Sequence, residues 1–284
     1  MYKLNKYPDG TSYINTTSTK PLTIRVNTYE DLWNLNQYVD AFISEHGFKP
    51  NVRLPNLIDA QADRRFDRGE SYGLKLVLKF LKSLPVKEYI IFHPHNQEVV
   101  EMYLDNVIIL DNSEFIMNVL CRGDYGICKE FYFSDLELKN NLILMSADAG
   151  GYKPLMKLCD KIKWNGETFS ASKSRSYDNG KTNISQIIDR DDFGGKNILI
   201  VDDICVFGGT FKGLSKLLKQ RNCGKLYLAV SHMTIENHKG SDTIFDYFDK
   251  VFTTNSKFED YYVADRKGQP ARPKNLEVIK MFDI

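Results

Sequence analysis

Asn197–Thr210 reads NILIVDDICVFGGT, and the fold follows from the order of its residue types. The apolar run Ile198, Leu199, Ile200 and Val201 ends in two adjacent carboxylates, Asp202 and Asp203. A turn with Gly208, Gly209 and Thr210 follows, and Leu214, Leu217 and Leu218 then recur at helical spacing. The pattern is that of a buried strand, a ligand loop and a helix N-terminus. In open α/β sheets ligands bind at the carboxyl ends of strands, where glycines let backbone N–H groups approach an anion. Paired carboxylates at such an end suit a sugar diol, or a hydrated Mg²⁺ carried in by phosphates. An N-capping Asp beside a solvated one is the bland alternative, and it leaves the ordered combination of strand, Asp-Asp, spacer, Gly-Gly-Thr and helix unexplained.

Outward from this stretch the same order recurs. Leu142 to Met145 is a buried strand that leads into Ser146-Ala147-Asp148-Ala149-Gly150-Gly151 and a helix bearing Leu155, Met156, Leu158 and Cys159. Between the two motifs lies a polar tract, Ser170 to Thr182, with Lys173, Arg175 and Lys181; it lacks apolar periodicity and is expected to be mobile. Downstream, Lys225 to Val230 is a strand followed by His232, then come a short helix near Thr243 to Tyr247 and a strand at Val251 to Thr253.

Toward the N-terminus, Tyr7-Pro8-Asp9-Gly10 is a turn within strand-like alternation, and Leu22 to Val26 is a strand. Thr28 caps a helix through about Glu45, stopped by Gly47. A strand near Val52 to Leu57 precedes Asp59 to Glu70, a stretch dense in both charges that is either a solvated loop or a substrate loop past a strand end. Ser71 to Leu84 is an amphipathic helix, Glu88 to Phe92 a strand ending at His93-Pro94-His95, and Val107 to Leu110 another strand. The aromatic-rich segment Asp111 to Asn140 ends the first half. Strand–helix alternation in both halves predicts two parallel-sheet α/β domains with a boundary near residue 138 and ligand loops facing one cleft.

Composition narrows the classes. The net charge of +1 gives no bulk basicity for nucleic acid. Five scattered cysteines without a CxxC pair favour free thiols in a reducing compartment and disfavour zinc. No apolar run approaches the roughly 18 residues of a membrane span, and the first ten residues show no secretory signal. The expectation is a cytoplasmic protein with no nucleic-acid or membrane partner.

Taken in order, the motifs resemble those of ribose-phosphate pyrophosphokinases, and Asn197–Thr210 resembles the ribose-phosphate signature of type I phosphoribosyltransferases. Ala60 to Arg65 falls where the family carries its Tyr-Ala-Arg-Gln-Asp-Arg loop, and His95 falls on the histidine of Asp-Leu-His. Asp148-Ala149-Gly150-Gly151 matches Asp-x-Gly-Gly, Lys173-Ser174-Arg175 matches the lysine-x-arginine of the catalytic loop, and Thr253 to Ser256 matches a late turn. The resemblance implies two phosphoribosyltransferase-like α/β domains, each a mainly parallel sheet flanked by helices: 1–138 with the ATP loop and oligomer contacts, 139–284 with the ribose-phosphate site and catalytic loop. It implies transfer of the β,γ-diphosphate of ATP to the anomeric hydroxyl of a ribose phosphate, releasing AMP, with Mg²⁺ as cofactor and a homo-oligomer, dimer or hexamer. Lys173 and Arg175 then take catalytic roles. Gln61, Asp63, Arg64, His95 and Asp9 fall to ATP, while Asp202, Asp203, Val206, Phe207, Gly208, Gly209, Thr210, Gly150 and Gly151 fall to the ribose phosphate. His95 and Asp148 fall to the metal.

The chain departs from the family where the acceptor's 5-phosphate is gripped. Asp-Thr-x-Gly-Thr is expected there, and its first two positions are Val206 and Phe207. Phe supplies no hydrogen-bond donor to a phosphate dianion but offers a face for stacking. This resembles phage-encoded relatives that pyrophosphorylate ADP-ribose during NAD⁺ rebuilding, and makes ADP-ribose the favoured acceptor over free ribose 5-phosphate. The ATP loop has Gln61 and Ala62 for arginine and glutamine, and Tyr7 to Thr11 lacks the glutamate of the adenine-contacting motif. An ordinary phosphoribosyl pyrophosphate synthetase, a base-joining transferase and a silent nucleotide-sensing homologue are the alternatives.

Overall fold

The computed structural model describes residues 2–121, 127, 140–178, 181–234, 243–264 and 269–283. They form two compact units, Met1–Asp111 with Phe282–Ile284, and Asn112–Met281. The boundary expected near residue 138 lies outside the described residues.

The first unit opens with an antiparallel hairpin, β1 (Tyr2–Lys6) and β2 (Ser12–Thr16). It is held to α1 (Tyr29–His46), where Gln37 Nε2 donates to Ser12 O at 2.8 Å. Helix α1 begins at a capping box between Thr28 and Asp31 and ends at Gly47, whose φ of 75° is left-handed, as the sequence predicts. The sheet is four parallel strands in sequential order: β3 (Leu22–Thr23), β4 (Asn51–Leu54), β5 (Glu88–Phe92) and β6 (Val107–Leu110). Helices α2 (Gly73–Ser83) and α3 (Gln97–Tyr103) complete it. Leu35, Val39 and Phe42 of α1 pack with Val52, Leu54, Leu78, Leu81 and Ile91 in one core. Helix α3 is not in the sequence reading, because its seven residues are too few to display a period.

The second unit begins with α4 (Ser113–Cys121), whose Phe115, Ile116, Val119 and Leu120 are buried. Its sheet is six parallel strands in the order β16-β13-β12-β11-β7-β8: β7 (Leu142–Ser146), β8 (Glu167–Ser170), β11 (Asn197–Cys205), β12 (Leu226–Met233), β13 (Lys250–Thr254) and β16 (Leu276–Ile279). Between β8 and β11 the chain forms a hairpin of β9 (Ser172–Asp178) and β10 (Lys181–Ile187), and a short one of β14 (Val263–Ala264) and β15 (Pro270–Ala271) precedes β16. Helix α5 (Tyr152–Ile162) follows β7, and α6 (Gly209–Gln220) follows β11. Phe211, Leu214 and Leu218 of α6 seal one sheet face over Ile198, Ile200, Leu228 and Val230.

Strand order locates the site. From β7 the chain goes to β8 on one side and later returns on the other side through β11. The order therefore reverses between β7 and β11, and a ligand crevice opens outside the carboxyl ends of such a pair. Asp148 follows β7, and Asp202 and Asp203 lie near the end of β11. Among the described residues, no helix is long and apolar enough to cross a membrane.

Candidate functional site

At the end of β7, Ser146 Oγ lies 3.0 Å from the Asp148 carbonyl and 2.9 Å from Ser170 Oγ. These contacts pin the loop to β8. The Asp148 carboxylate caps the 3-10 turn Ala149–Gly151, accepting the Gly151 N–H at 3.1 Å. A Cβ on Gly151 would come 3.2 Å from Ser146 Cβ, so glycine is what lets the loop lie against the strand.

Asp202 and Asp203 are partly buried positions within β11, and the Asp203 N–H donates to Asp202 Oδ1 at 2.9 Å. Neither caps α6. That place belongs to Gly208, in the left-handed region at φ 72°, which makes no side-chain capping hydrogen bond. The start of α6 thus presents backbone N–H groups without a side-chain cap, the arrangement that receives an anion. A Cβ on Gly208 would meet Ile244 Cδ1 at 3.0 Å, so both backbone and space require glycine. Phe207, just before it, is 74 % exposed. Val206 and Thr210 are partly buried and Gly209 is exposed.

Electrostatics mark the acidic pair as strained. Burial raises the Asp202 carboxyl well above its ordinary range, and the charges of Asp203 and Asp148 push it further. Asp203 and Asp148 thus lie close enough to Asp202 for their charges to act on it. Among the described residues no three His, Cys, Asp or Glu side chains form a cage for a metal ion. Cys205 is no nucleophile: burial, with Asp202's charge, pushes its thiol up to about 12.

Residues 173 and 175 lie on β9, paired with Gln186 and Ile184 of β10. Their side chains lie outside the described residues. The tract read as lacking periodicity is thus an antiparallel ladder. Asn179-Gly180, a hairpin-turn dipeptide between the two strands, is the signal that finds it. The Thr253–Ser256 turn is fully buried. Ser256 Oγ donates to Ser231 O at 3.0 Å and lies 2.9 Å from His232 Nδ1, bracing the end of β12.

The other sequence candidates sit in the first unit. Asp63 is 6 % exposed, and its carboxylate accepts Arg64 Nε at 3.1 Å and Asn96 Nδ2 at 2.8 Å. Burial pushes this carboxyl up, but the Asn96 and Arg64 hydrogen bonds, with the charges of Arg64 and His95, outweigh it and hold it below the usual range. Asp63, Arg64 and His95 therefore belong to one cluster. Gln61 is exposed on the same loop, and Asp9 sits in the hairpin turn, where it bonds to Thr11 at 2.7 Å. His95 lies in the first unit and Asp148 in the second. Asn96 is absent from the sequence candidates, because nothing local singles out an Asn after His-Pro-His.

Comparison with known proteins agrees with this layout. Residues 128–266 match the phosphoribosyl transferase domain model. The chain is 25 % identical over 236 residues to a ribose-phosphate pyrophosphokinase of Pyrococcus abyssi, covering 81 % of this chain and 75 % of that protein. It is 22 % identical over 258 residues to the Sulfurisphaera tokodaii ribose-phosphate pyrophosphokinase, covering 88 % and 82 %. Among solved structures, phosphoribosylpyrophosphate synthetase from Mycobacterium smegmatis superposes with a TM-score of 0.71 at 15 % identity, covering 99 % of this chain and 86 % of that one. The α/β fold with parallel sheets is accordingly similar to that of the Mycobacterium smegmatis phosphoribosylpyrophosphate synthetase structure.

Proposed function

We propose that the chain is a diphosphotransferase of the ribose-phosphate pyrophosphokinase type, moving the β,γ-diphosphate of ATP to the anomeric hydroxyl of a ribose phosphate and releasing AMP. The observation that carries this is the acidic cluster at the β7–β11 switch point, Asp148 with Asp202 and Asp203, beside the start of α6. Carboxylates there accept hydrogen bonds from a ribose diol, and the N–H groups of Gly209 and Thr210 receive the 5-phosphate. Mg²⁺ bound with the triphosphate would supply charge neutralisation, and Asp148, Asp202 and Asp203 are the residues that would hold it. Arg64 and His95 face the nucleotide's phosphates, for which a guanidinium fork is suited. Lys173 and Arg175, on the β9–β10 hairpin, neutralise charge that spreads over the phosphoryl oxygens in the transition state.

The acceptor we favour is ADP-ribose, whose 5-end is a diester. Phe207, 74 % exposed at the mouth of the α6 N-terminus, offers a stacking surface where a phosphate monoester would want a donor. The test is release of AMP from ATP and Mg²⁺ with ribose 5-phosphate or ADP-ribose as acceptor. Faster release with ADP-ribose supports the full reading. Equal or faster release with ribose 5-phosphate removes the ADP-ribose preference and leaves an ordinary phosphoribosyl pyrophosphate synthetase. No acceptor-dependent AMP with either removes the transferase reading and favours a silent nucleotide-binding homologue.

A further inference from the structure

The loop between β4 and α2 carries a carboxylate where phosphates are expected to bind, which on charge alone is unfavourable. The side chain resolves this by turning inward. Asp63 is 6 % exposed, and both its oxygens are engaged within the first unit, Oδ1 by Arg64 Nε and Oδ2 by Asn96 Nδ2. Asn96 is itself committed on its other side, because its Oδ1 accepts the Val99 N–H at 3.1 Å and caps α3. Asp63 thus ties the loop that carries Arg64 to the start of a helix just after His95. We propose that Asp63 is a positioning residue that joins these two segments and holds Arg64 and His95 ready for the nucleotide's phosphates, without contacting the nucleotide.

Three further observations fit that role. Arg64 is 64 % exposed and, among the described residues, bonds to Asp63 through Nε and not Nη, so its Nη groups can take a bidentate anion; its outer part lies over the Phe66 ring, 5.6 Å from the centroid. The backbone of the His93–Asn96 segment is fixed at its start as well: His93 adopts φ 37°, unusual for a non-glycine, and its N–H donates to Leu110 O at 2.7 Å. The Asp63 carboxyl is held ionised by these same neighbours, so the anion that anchors the cations is fully charged at neutral pH.

The inference rests on the first unit being a nucleotide site, and its test separates the two claims. Binding of α,β-methylene-ATP with Mg²⁺ to the full chain is measured by calorimetry for wild type, Asp63→Asn, Arg64→Ala, Asn96→Ser and the double variant Asp63→Asn/Arg64→Ala. Serine keeps a helix cap but cannot reach Asp63, so Asn96→Ser cuts the link even where Asp63→Asn fails to fold. The expected result is about 10-fold weaker binding for Asp63→Asn and several-fold weaker for Asn96→Ser. The double variant should be clearly less than additive, since the part of the Asp63 effect carried by the Arg64 guanidinium is already absent in Arg64→Ala. The KM for the ribose acceptor should stay unchanged. Additive losses in the double variant, or wild-type binding by both Asp63→Asn and Asn96→Ser, overturn the positioning role while leaving the nucleotide site intact. A wild-type chain that does not bind the analogue overturns the nucleotide site and this inference together.

Discussion

Asp63 and Asp202 are the same side chain placed in opposite circumstances. In the first unit, Asp63 meets an amide donor, a guanidinium and the charge of His95, and its carboxyl is held below the ordinary range. In the second, Asp202 meets burial, Asp203 and Asp148, and its carboxyl is driven well above it. A carboxylate whose partners are all in the protein has no need of a ligand and serves to hold other groups. A carboxylate crowded by its own kind is incomplete until hydroxyls or a cation arrive. On the proposed reading, the comparison separates a positioning carboxylate from a ligand-facing one among residues that sequence alone treats alike.

The largest effect expected from this contrast is at the acidic pair. Asp202→Asn/Asp203→Asn should lower acceptor-dependent AMP release by on the order of 10³-fold, because two anionic acceptors are replaced together by neutral amides. The same change should leave the fold as stable or raise its thermal midpoint by about 2–4 °C. The sign follows from the raised carboxyl. A group whose folded pKa lies above its unfolded value contributes stability below the unfolded value and loses it as pH rises through the folded one. The wild type should therefore fall behind the variant as pH climbs out of the carboxylate range. Thermal melts from pH 4 to pH 8 check this, and a variant that melts lower at every pH would mean the pair is already satisfied.

Next in size is Gly208→Ala, which sharpens the comparison at the same mouth. It places a Cβ in the left-handed region and 3.0 Å from Ile244 Cδ1. We expect a KM for the acceptor raised about 10-fold with the KM for ATP unchanged, together with a loss of about 1–2 kcal/mol of stability. Steady-state kinetics with each substrate varied in turn checks the split.

Asp63→Asn gives the reverse of Asp202 in thermal melts. Its carboxyl is depressed, so its stability is present above the unfolded pKa and lost as pH falls through the folded one. The variant should melt about 2–4 °C lower at neutral pH, with the gap closing in acid. A gap that persists in acid would point to lost packing rather than lost charge.

How much of this the sequence disclosed differs between the units. Strand β11 and its Asp-Asp end were legible because an apolar run and a following helix period are local signals, and the Asp148 loop was legible by the same grammar. The inward turn of Asp63 was not, because the group that turns it, Asn96, lies 33 residues away. The β9–β10 ladder was missed because its strands, SKSRSYD and KTNISQI, carry few apolar residues. Helix α4 was hidden inside an aromatic-rich segment, and its place in the second unit shows only in the folded chain.

The smallest effect tests whether incompleteness extends from the carboxylates to the helix end beside them. The start of α6 has no side-chain cap, and the residue before Gly208 is an exposed ring rather than a hydroxyl. Phe207→Thr restores a donor beside the anion position and removes a stacking face. The ratio of kcat/KM for ADP-ribose over ribose 5-phosphate should fall about 5-fold, from loss on one side and gain on the other, since a single stacking contact is worth roughly 0.5–1.5 kcal/mol. The fold should be indifferent, because a 74 % exposed ring contributes little to packing. An unchanged ratio would place the discrimination elsewhere and leave Phe207 as a bystander at the mouth of the site. A ratio that falls while the Asp63 variants leave it untouched would complete the contrast, with one unit selecting the acceptor and the other holding the donor.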